Sequence, residues 1–437
     1  MGKSARVSRF IEQLGGVSLE LADERAGHHN QKYEMGDAVQ GAFSVFFTQS
    51  ASFLAHQRDM VRRQGSNNAA SIFRMKRIPS DNHIRNMLDG VAANDLAACY
   101  EWLWSELEKE GQLAAFEVMG GRLMVGIDGI QYFHSTKIHC QQCSQSQVEG
   151  TTRYSHRALT ALVVHPDQHG VLPLPPEFIL PQDGAEKQDS EMAAAKRWLA
   201  KRESWLRAYQ TILLGDDLFS HQPFCQLVVN AGLSFILVCK PSSHELLCQW
   251  IEGMERGGKL AEFEQRKWNG RHGELWRYRW AGDVPLRAGD DGMRVNWCEL
   301  TITHETEGTR LYRNSFVTNL PVDRGAVKHI TQAGRTRWKH ENEGHNVLTT
   351  HGYHIKHNFG HGKTHLATVL FTLNLLAFFL HTFLLLVDTR YKAIRHELGA
   401  RRTFFEDIRS LMRYQLFDSW EALLLFMAIG LELEPPP

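Results

Sequence analysis

The spacing of apolar positions changes character twice along the chain. Up to about residue 115 it is helical, running through Ala42-Phe43-Ser44-Val45-Phe46-Phe47 and on to Leu54. Ser80 before Asp81 marks a helix start, with a capping hydroxyl and a carboxylate near the positive end of the dipole; the helix continues through Ile84, Met87 and Leu88. An amphipathic stretch from Leu96 to Glu110 stops before Gly111. The pattern then turns to strands. Arg122 to Asp128 is a short apolar run closed by a carboxylate, and Ala158 to His165 is a second strand. Gly170 to Leu180 holds Pro173, Pro175 and Pro176 and can only be a broken or edge strand. After a polar linker, Pro181 to Ser190, a helix is predicted over Glu191 to Tyr209, then a strand from Thr211 to Asp216, a helix from Phe224 to Ala231 and a strand from Ser234 to Lys240. Phe263–Trp280, Met293–Thr303 and Leu311–Asn319 alternate between Gly-containing turns and read as a β-rich insertion. Helical spacing returns at Ala326.

The expected class is therefore α/β (α+β), in five parts: a helical N-terminal region over 1–115 that binds DNA, a strand-and-helix region over 116–244, the β-rich insertion over 245–325, a helical completion over 326–425 and a tail over 426–437. Leu366 to Val387 is long and apolar enough to span a bilayer, for which about 20 residues suffice. Asn374 and His381 interrupt it and no second span accompanies it, so a buried helix is expected and no membrane partner. The 49 Lys and Arg balance 49 Asp and Glu. Phosphate contact would therefore rest on local clusters: Arg62 with Arg63, Lys76 with Arg77, Arg335 with Arg337 and Lys339, and the stretch from Arg390 to Arg402. Seven cysteines, an odd number, suggest no disulfide framework and point to a reducing compartment. No signal-peptide core follows the basic N-terminus, and Arg6 breaks the myristoylation pattern.

Three segments carry candidate chemistry. In Gly126-Ile127-Asp128-Gly129 a carboxylate closes a buried strand, a costly placement unless it is paired or bound to metal, and the glycines permit close approach. Leu213-Leu214-Gly215-Asp216-Asp217 repeats the construction. Alone, each is more simply a turn residue; on strands that should lie side by side they point to a shared site. In Arg335 to Glu343, regular helical spacing puts Arg337, Glu341 and His345 on one face and turns Glu343 away. Periodicity alone would make this a solvated Arg–Glu pair.

Together these segments resemble the catalytic motifs of DDE transposases of bacterial insertion sequences. Asp128 ends the first strand; Asp216, Asp217, Leu218 and Phe219 match an Asp-x-x-aromatic motif; Arg337, Trp338 and Glu341 match an Arg-Trp-x-x-Glu helix that follows a β-rich insertion. The resemblance covers roughly residues 120–380. Pro176-Glu177-Phe178-Ile179, Lys187-Gln188-Asp189 and His357-Asn358-Phe359-Gly360-His361-Gly362 look like one subgroup. It implies an RNase H-like mixed sheet flanked by helices and a triad of Asp128, Asp216 and Glu341 holding two Mg²⁺ or Mn²⁺ ions, Asp128 bridging both. Arg337 and Lys339, with Arg62 and Arg63, would contact DNA. The implied partners are transposon terminal inverted repeats and target DNA, bound by a homodimer in the bacterial cytoplasm at the nucleoid. Departures occur where the hairpin-forming branch has a tyrosine and a lysine: here Gly334 and Leu348. The runner-up is an RNase H-like nuclease or a domesticated DNA-binding derivative without strand transfer.

Other motifs read more blandly. Gly362-Lys363-Thr364 lacks the upstream glycine of a P-loop, having His357 there. Cys140 and Cys143 form a Cys-x-x-Cys with His134 and His156 nearby, but no second ligand pair is evident, and reduced thiols are expected. His357, His361 and His365 would share a helical face as a metal pair, but Gly360 and Gly362 disfavour a helix, so polar packing and phosphate contact are expected.

Overall fold

The computed structural model describes residues 6–23, 25, 32–62, 64–181 and 190–435. Its strands are β1 (Glu117–Val118), β2 (Arg122–Ser135), β3 (Ser144–Val148), β4 (Thr151–Val164), β5 (Leu172–Ile179), β6 (Ile212–Gly215), β7 (Ser234–Val238), β8 (Ala261–Trp268), β9 (Gly273–Pro285), β10 (Arg294–His304) and β11 (Arg310–Thr318). All eleven join one mixed sheet with the path β3-β4-β2-β6-β7-β11-β10-β9-β8. β2 runs antiparallel to β4 and parallel to β6, and β6 runs parallel to β7. The central position of β2 follows from Leu123 to Ile127, which are buried without alternation, as a strand covered on both faces requires. Among the described residues the proline-bearing β5 pairs only with β4 and forms an edge.

Two features differ from the linear reading. The segment 245–325 opens with a helix, Glu245–Arg256, whose buried Leu247 and Ile251 stand four residues apart. Its strands also do not stand apart: β11 pairs with β7 through Phe316 opposite Val238, so the insertion widens the main sheet.

The N-terminal helices likewise share the core of the C-terminal ones. Phe47 lies 4.7 Å from the ring of His381, and Trp104 lies 5.6 Å from Phe379. Both partners belong to the helix Leu366–Val387, buried at every residue from Leu366 to Leu384. This helix passes the length and composition test for a membrane span, yet 89% of its most apolar window is covered by protein. Its polar residues are used internally: Asn374 donates to the Tyr353 carbonyl at 2.8 Å, and His381 Nδ1 lies 2.7 Å from the Tyr353 hydroxyl.

The helix begins on an anion nest. Backbone amides of Lys363, Thr364, His365 and Leu366 all donate to the Asp89 carboxylate, at 2.8 to 3.1 Å. The Gly-Lys-Thr sequence thus has the local geometry of an anion cradle, and the protein's own aspartate fills it.

Candidate active site

Strand register builds the site. Gly126 of β2 stands opposite Leu214 of β6 in a parallel pair. Asp128 and Asp216 each follow two residues later, so they leave the two strands at the same level and on the same side. Asp128 accepts from its neighbour's amide, Gly129 N, at 2.9 Å, while its backbone carbonyl takes the Thr160 hydroxyl at 3.1 Å. Asp216 accepts from Leu218 N at 3.0 Å in an Asx turn. Burial pushes the Asp216 carboxyl up, and the charge of Asp128 adds to this; the Leu218 amide, Arg337 and Lys240 pull the other way. Asp217 faces elsewhere, accepting from Lys240 N at 2.6 Å and from the Ser243 hydroxyl.

A third carboxylate stands near this pair, and the linear reading missed it. Glu191 is the first residue of the helix Glu191–Ala208, behind its N-cap Ser190. Its carboxyl lies so close to Gly129 that a side chain at 129 would collide with it. Burial pushes Glu191 up, and the charges of Asp128 and Asp216 push it further; only the Gly129 amide and Arg157 oppose them. In the sequence, Glu191 looks like an ordinary first-turn acid, which a helix N-terminus favours for its own sake. The glycines flanking Asp128 do permit close approach, but protein groups take the space: Glu191 at Gly129, and His340 at Gly126, where a β-carbon would sit 3.2 Å from the imidazole.

The Arg337–His345 segment departs from regular α-helical spacing. Helix Ala326–Thr336 ends in a turn at Arg337, and His340–His345 forms a π-turn. The wider turn lets residues five apart face the same way. His345 Nε2 is 2.7 Å from the Thr160 hydroxyl, His340 Nε2 is 3.2 Å from the Thr160 carbonyl, and the two rings lie 4.7 Å apart. One ligand atom from each of Asp128, His340 and His345 falls within 4.8 Å of the others. Burial pushes His340 down to about 3 and lowers His345 as well, so both imidazoles are neutral. Arg337 reaches the cluster, with Nη1 3.8 Å from Asp128 Oδ2. Glu341, expected on the same face, is exposed, and its carboxylate makes no hydrogen bond or ion pair among the described residues. Glu343 lines a separate groove of about 1160 Å³.

The remaining expected contact residues fall in different places. Lys339 is only 5% exposed and donates to the Gln168 carbonyl, so it ties down the β4–β5 connection and presents no free ammonium to a phosphate. Arg62 is exposed at the end of the helix Phe53–Val61; Arg63 and the Lys187-Gln188-Asp189 motif lie outside the described residues. Of the basic stretch 390–402, Arg390 is held by Glu434 at 2.6 Å and Arg402 by Glu406 at 2.7 Å, while Arg395 is half-buried and stacks over Phe404.

Arg335, from the basic cluster seen in the sequence, joins Lys267, Arg324 and Lys328, which the sequence did not single out, in a cationic face backed by aromatic rings. Lys267 Nζ stands 3.7 Å from the Trp276 ring centre, and Arg335 stacks 5.4 Å from Trp276 and 5.0 Å from Tyr312. Arg324 and Lys328 flank Phe263 at 5.3 and 5.1 Å. Burial lowers the Lys267 ammonium, and the like charges of Lys328 and Arg335 add to it, while Glu274 opposes them. No protein-family model matches this chain, and no curated protein is significantly similar to it.

Glu191→Gln tests the electrostatics of the carboxylate cluster. Removing one of three mutually repelling charges should raise the melting midpoint of the metal-free protein by a few degrees and, if Glu191 is a ligand to a divalent ion, weaken Mn²⁺ binding by roughly 10-fold. Calorimetry with and without Mn²⁺ reads both; an unchanged Mn²⁺ affinity would remove Glu191 from the ligand set.

Proposed function

We propose that the chain is a DNA transposase that cuts transposon ends and joins them to target DNA at a carboxylate site in an RNase H-like core. The observation that carries this reading is the level placement of Asp128 and Asp216 on adjacent parallel strands, with Arg337 brought over them after four inserted strands. The sheet order and strand directions agree with an RNase H-like core, and the motif resemblance supplies the reaction class.

The carboxylate oxygens of Asp128, Asp216 and Glu191 suit hard divalent ions, Mg²⁺ or Mn²⁺, although the group at ligand spacing here joins Asp128 to the imidazoles of His340 and His345. Asp128, Asp216 and Glu191 would hold them, with Glu341 as the further ligand that the resemblance implies. When bound, two such ions activate the attacking oxygen and stabilise the leaving one. The chain's own groups do the rest. Arg337 offers a guanidinium to a non-bridging phosphate oxygen beside Asp128. His340 and His345 stay neutral and brace the Asp128 strand through Thr160, so they add no charge to compete with a metal ion. The aromatic-backed cations Lys267, Lys328 and Arg335 form a phosphate track ending two residues from Arg337.

Gly334 and Leu348 favour a route without a hairpin intermediate. Gly334 is pressed against the Phe316 ring, and Leu348 is wholly buried, so these positions belong to the core and not to a DNA-facing surface.

The test is incubation with duplex DNA carrying the inverted repeats that flank the gene, in Mg²⁺ and in Ca²⁺. Cuts at the repeat ends followed by joined products, in Mg²⁺ alone, are the expected result. Cutting of any duplex without joining would favour the nuclease reading; no cutting under any divalent ion would overturn the assignment. Arg335→Ala should weaken end binding and flatten its salt dependence by about 0.9 in log–log slope for each phosphate no longer neutralised. Fluorescence anisotropy across a salt series measures it, and an unchanged slope would remove Arg335 from the DNA track.

A further inference from the structure

We propose that Cys140, Cys143, His156 and His361 bind a structural zinc ion. Three separate parts of the chain converge on one point. Cys140 and Cys143 sit in the turn between β2 and β3, which closes with Cys143 N donating to the Cys140 carbonyl at 3.2 Å. The amide of Cys140 is also directed at Cys143 Sγ, at 3.5 Å. His156 comes from β4, opposite Phe133 of β2. His361 comes from the irregular segment that leads into the helix Leu366–Val387, which explains why sequence spacing did not reveal a second ligand pair.

The geometry matches zinc. The two sulfurs are 3.9 Å apart; His156 Nε2 is 3.5 Å from each, and His361 Nε2 is 3.5 Å from Cys143 Sγ. A tetrahedron with Zn–S of about 2.3 Å and Zn–N of about 2.0–2.1 Å has edges of about 3.8 Å between sulfurs and about 3.5 Å between sulfur and nitrogen. All four ligand atoms lie within 4.8 Å of one another. Two thiolates would neutralise the dication, and the surrounding rings of Tyr132, Phe133 and Phe371 keep the pocket apolar. The thiols are free, with no bond between them. Sulfur and imidazole donors select zinc over the hard ions suited to the carboxylate site.

Four protein ligands leave no open coordination position, so the ion's role is structural. It pins the β2–β3 turn and β4 to the segment before the buried helix. That segment has little regular structure of its own. The site lies past the end of β2, the strand that carries Asp128, and uses none of the carboxylates, so the inference stands whether or not the chain cuts DNA.

The test is metal content. Protein from zinc-supplemented cells should carry about one zinc per chain, retained in Asp128→Ala and lost in Cys143→Ser and His361→Ala. His361→Cys should retain the metal, because a Cys₃His set also suits zinc. Replacement by Co²⁺ should give the intense visible band of tetrahedral cobalt and a thiolate charge-transfer band that strengthens in His361→Cys. A folded wild-type protein that takes up no zinc on reconstitution, zinc content indifferent to Cys143→Ser, or a Cys140–Cys143 disulfide in the protein isolated under non-reducing conditions would each overturn the proposal.

Discussion

Asp128→Ala is expected to bind transposon-end DNA as well as the wild type and to cut none of it. Cleavage should fall by at least about 10³-fold, equivalent to roughly 4 kcal/mol in the barrier. Asp128 stands where every other group of the site converges: level with Asp216, beside Glu191, 3.8 Å from Arg337 and within ligand distance of His345. Little of the fold depends on its side chain. Among the described residues the carboxylate accepts only the neighbouring Gly129 amide, and the bond from Thr160 goes to the backbone carbonyl, which alanine retains. Its removal also relieves repulsion of Asp216, Glu191 and incoming phosphate, so the melting midpoint and DNA affinity should hold or rise slightly. Arg62→Ala should do the reverse, weakening binding without touching the chemistry. Gel shifts and cleavage on one duplex separate the cases. Full cleavage by Asp128→Ala would end the metal-site assignment, and loss of folding would make Asp128 a structural residue.

Asp89→Ala is expected to be the most damaging single change to stability outside the core packing, by about 2–4 kcal/mol. Four backbone amides at the start of a buried helix would lose their charged acceptor, and the helix they open is the one around which N- and C-terminal helices pack. Asp89→Asn keeps an acceptor but loses the charge and should cost about half as much. Burial raises the Asp89 carboxyl, but the amides of Lys363, Leu366, Thr364 and His365 outweigh it and hold it below the usual range. A depressed carboxyl stabilises the fold above its unfolded value, about 3.9, and that contribution disappears as pH falls through the lower folded value. The gap between wild type and Asp89→Asn in urea unfolding should therefore be full at pH 7 and close below about pH 4. A gap independent of pH would show that the charge on Asp89 contributes nothing.

Much of the architecture was legible because it rests on local pattern. The unbroken apolar run before Asp128 marks a central strand, the prolines of β5 mark an edge, and Ser80 caps a helix, accepting from His83 N. Asp128 and Asp216 stood out because a carboxylate at the end of a buried strand needs a reason. What escaped notice depends on contacts distant in sequence. Glu191 became a site residue only when its helix was laid across Gly129. The π-turn at His340–His345 reflects packing on Thr160, and four-residue spacing cannot express it. Lys339 looks like a DNA contact until the Gln168 carbonyl claims it, and the sequence, which argued against a nucleotide loop at Gly362-Lys363-Thr364, could not show that Asp89 fills the cradle there. The helix Glu245–Arg256 was overlooked because the alternating segments after it dominated the reading of the insertion.

The most direct measurement of the central claim is end cleavage by Asp216→Cys in Mg²⁺ and in Mn²⁺. A thiolate is a poor ligand for Mg²⁺ and a tolerable one for the softer Mn²⁺. If Asp216 holds a catalytic ion, the variant should be inactive in Mg²⁺ and regain activity in Mn²⁺, while the wild type cuts in both. Wild-type rates in Mg²⁺ from Asp216→Cys would contradict the account, because Asp216 would then hold no ion the reaction uses.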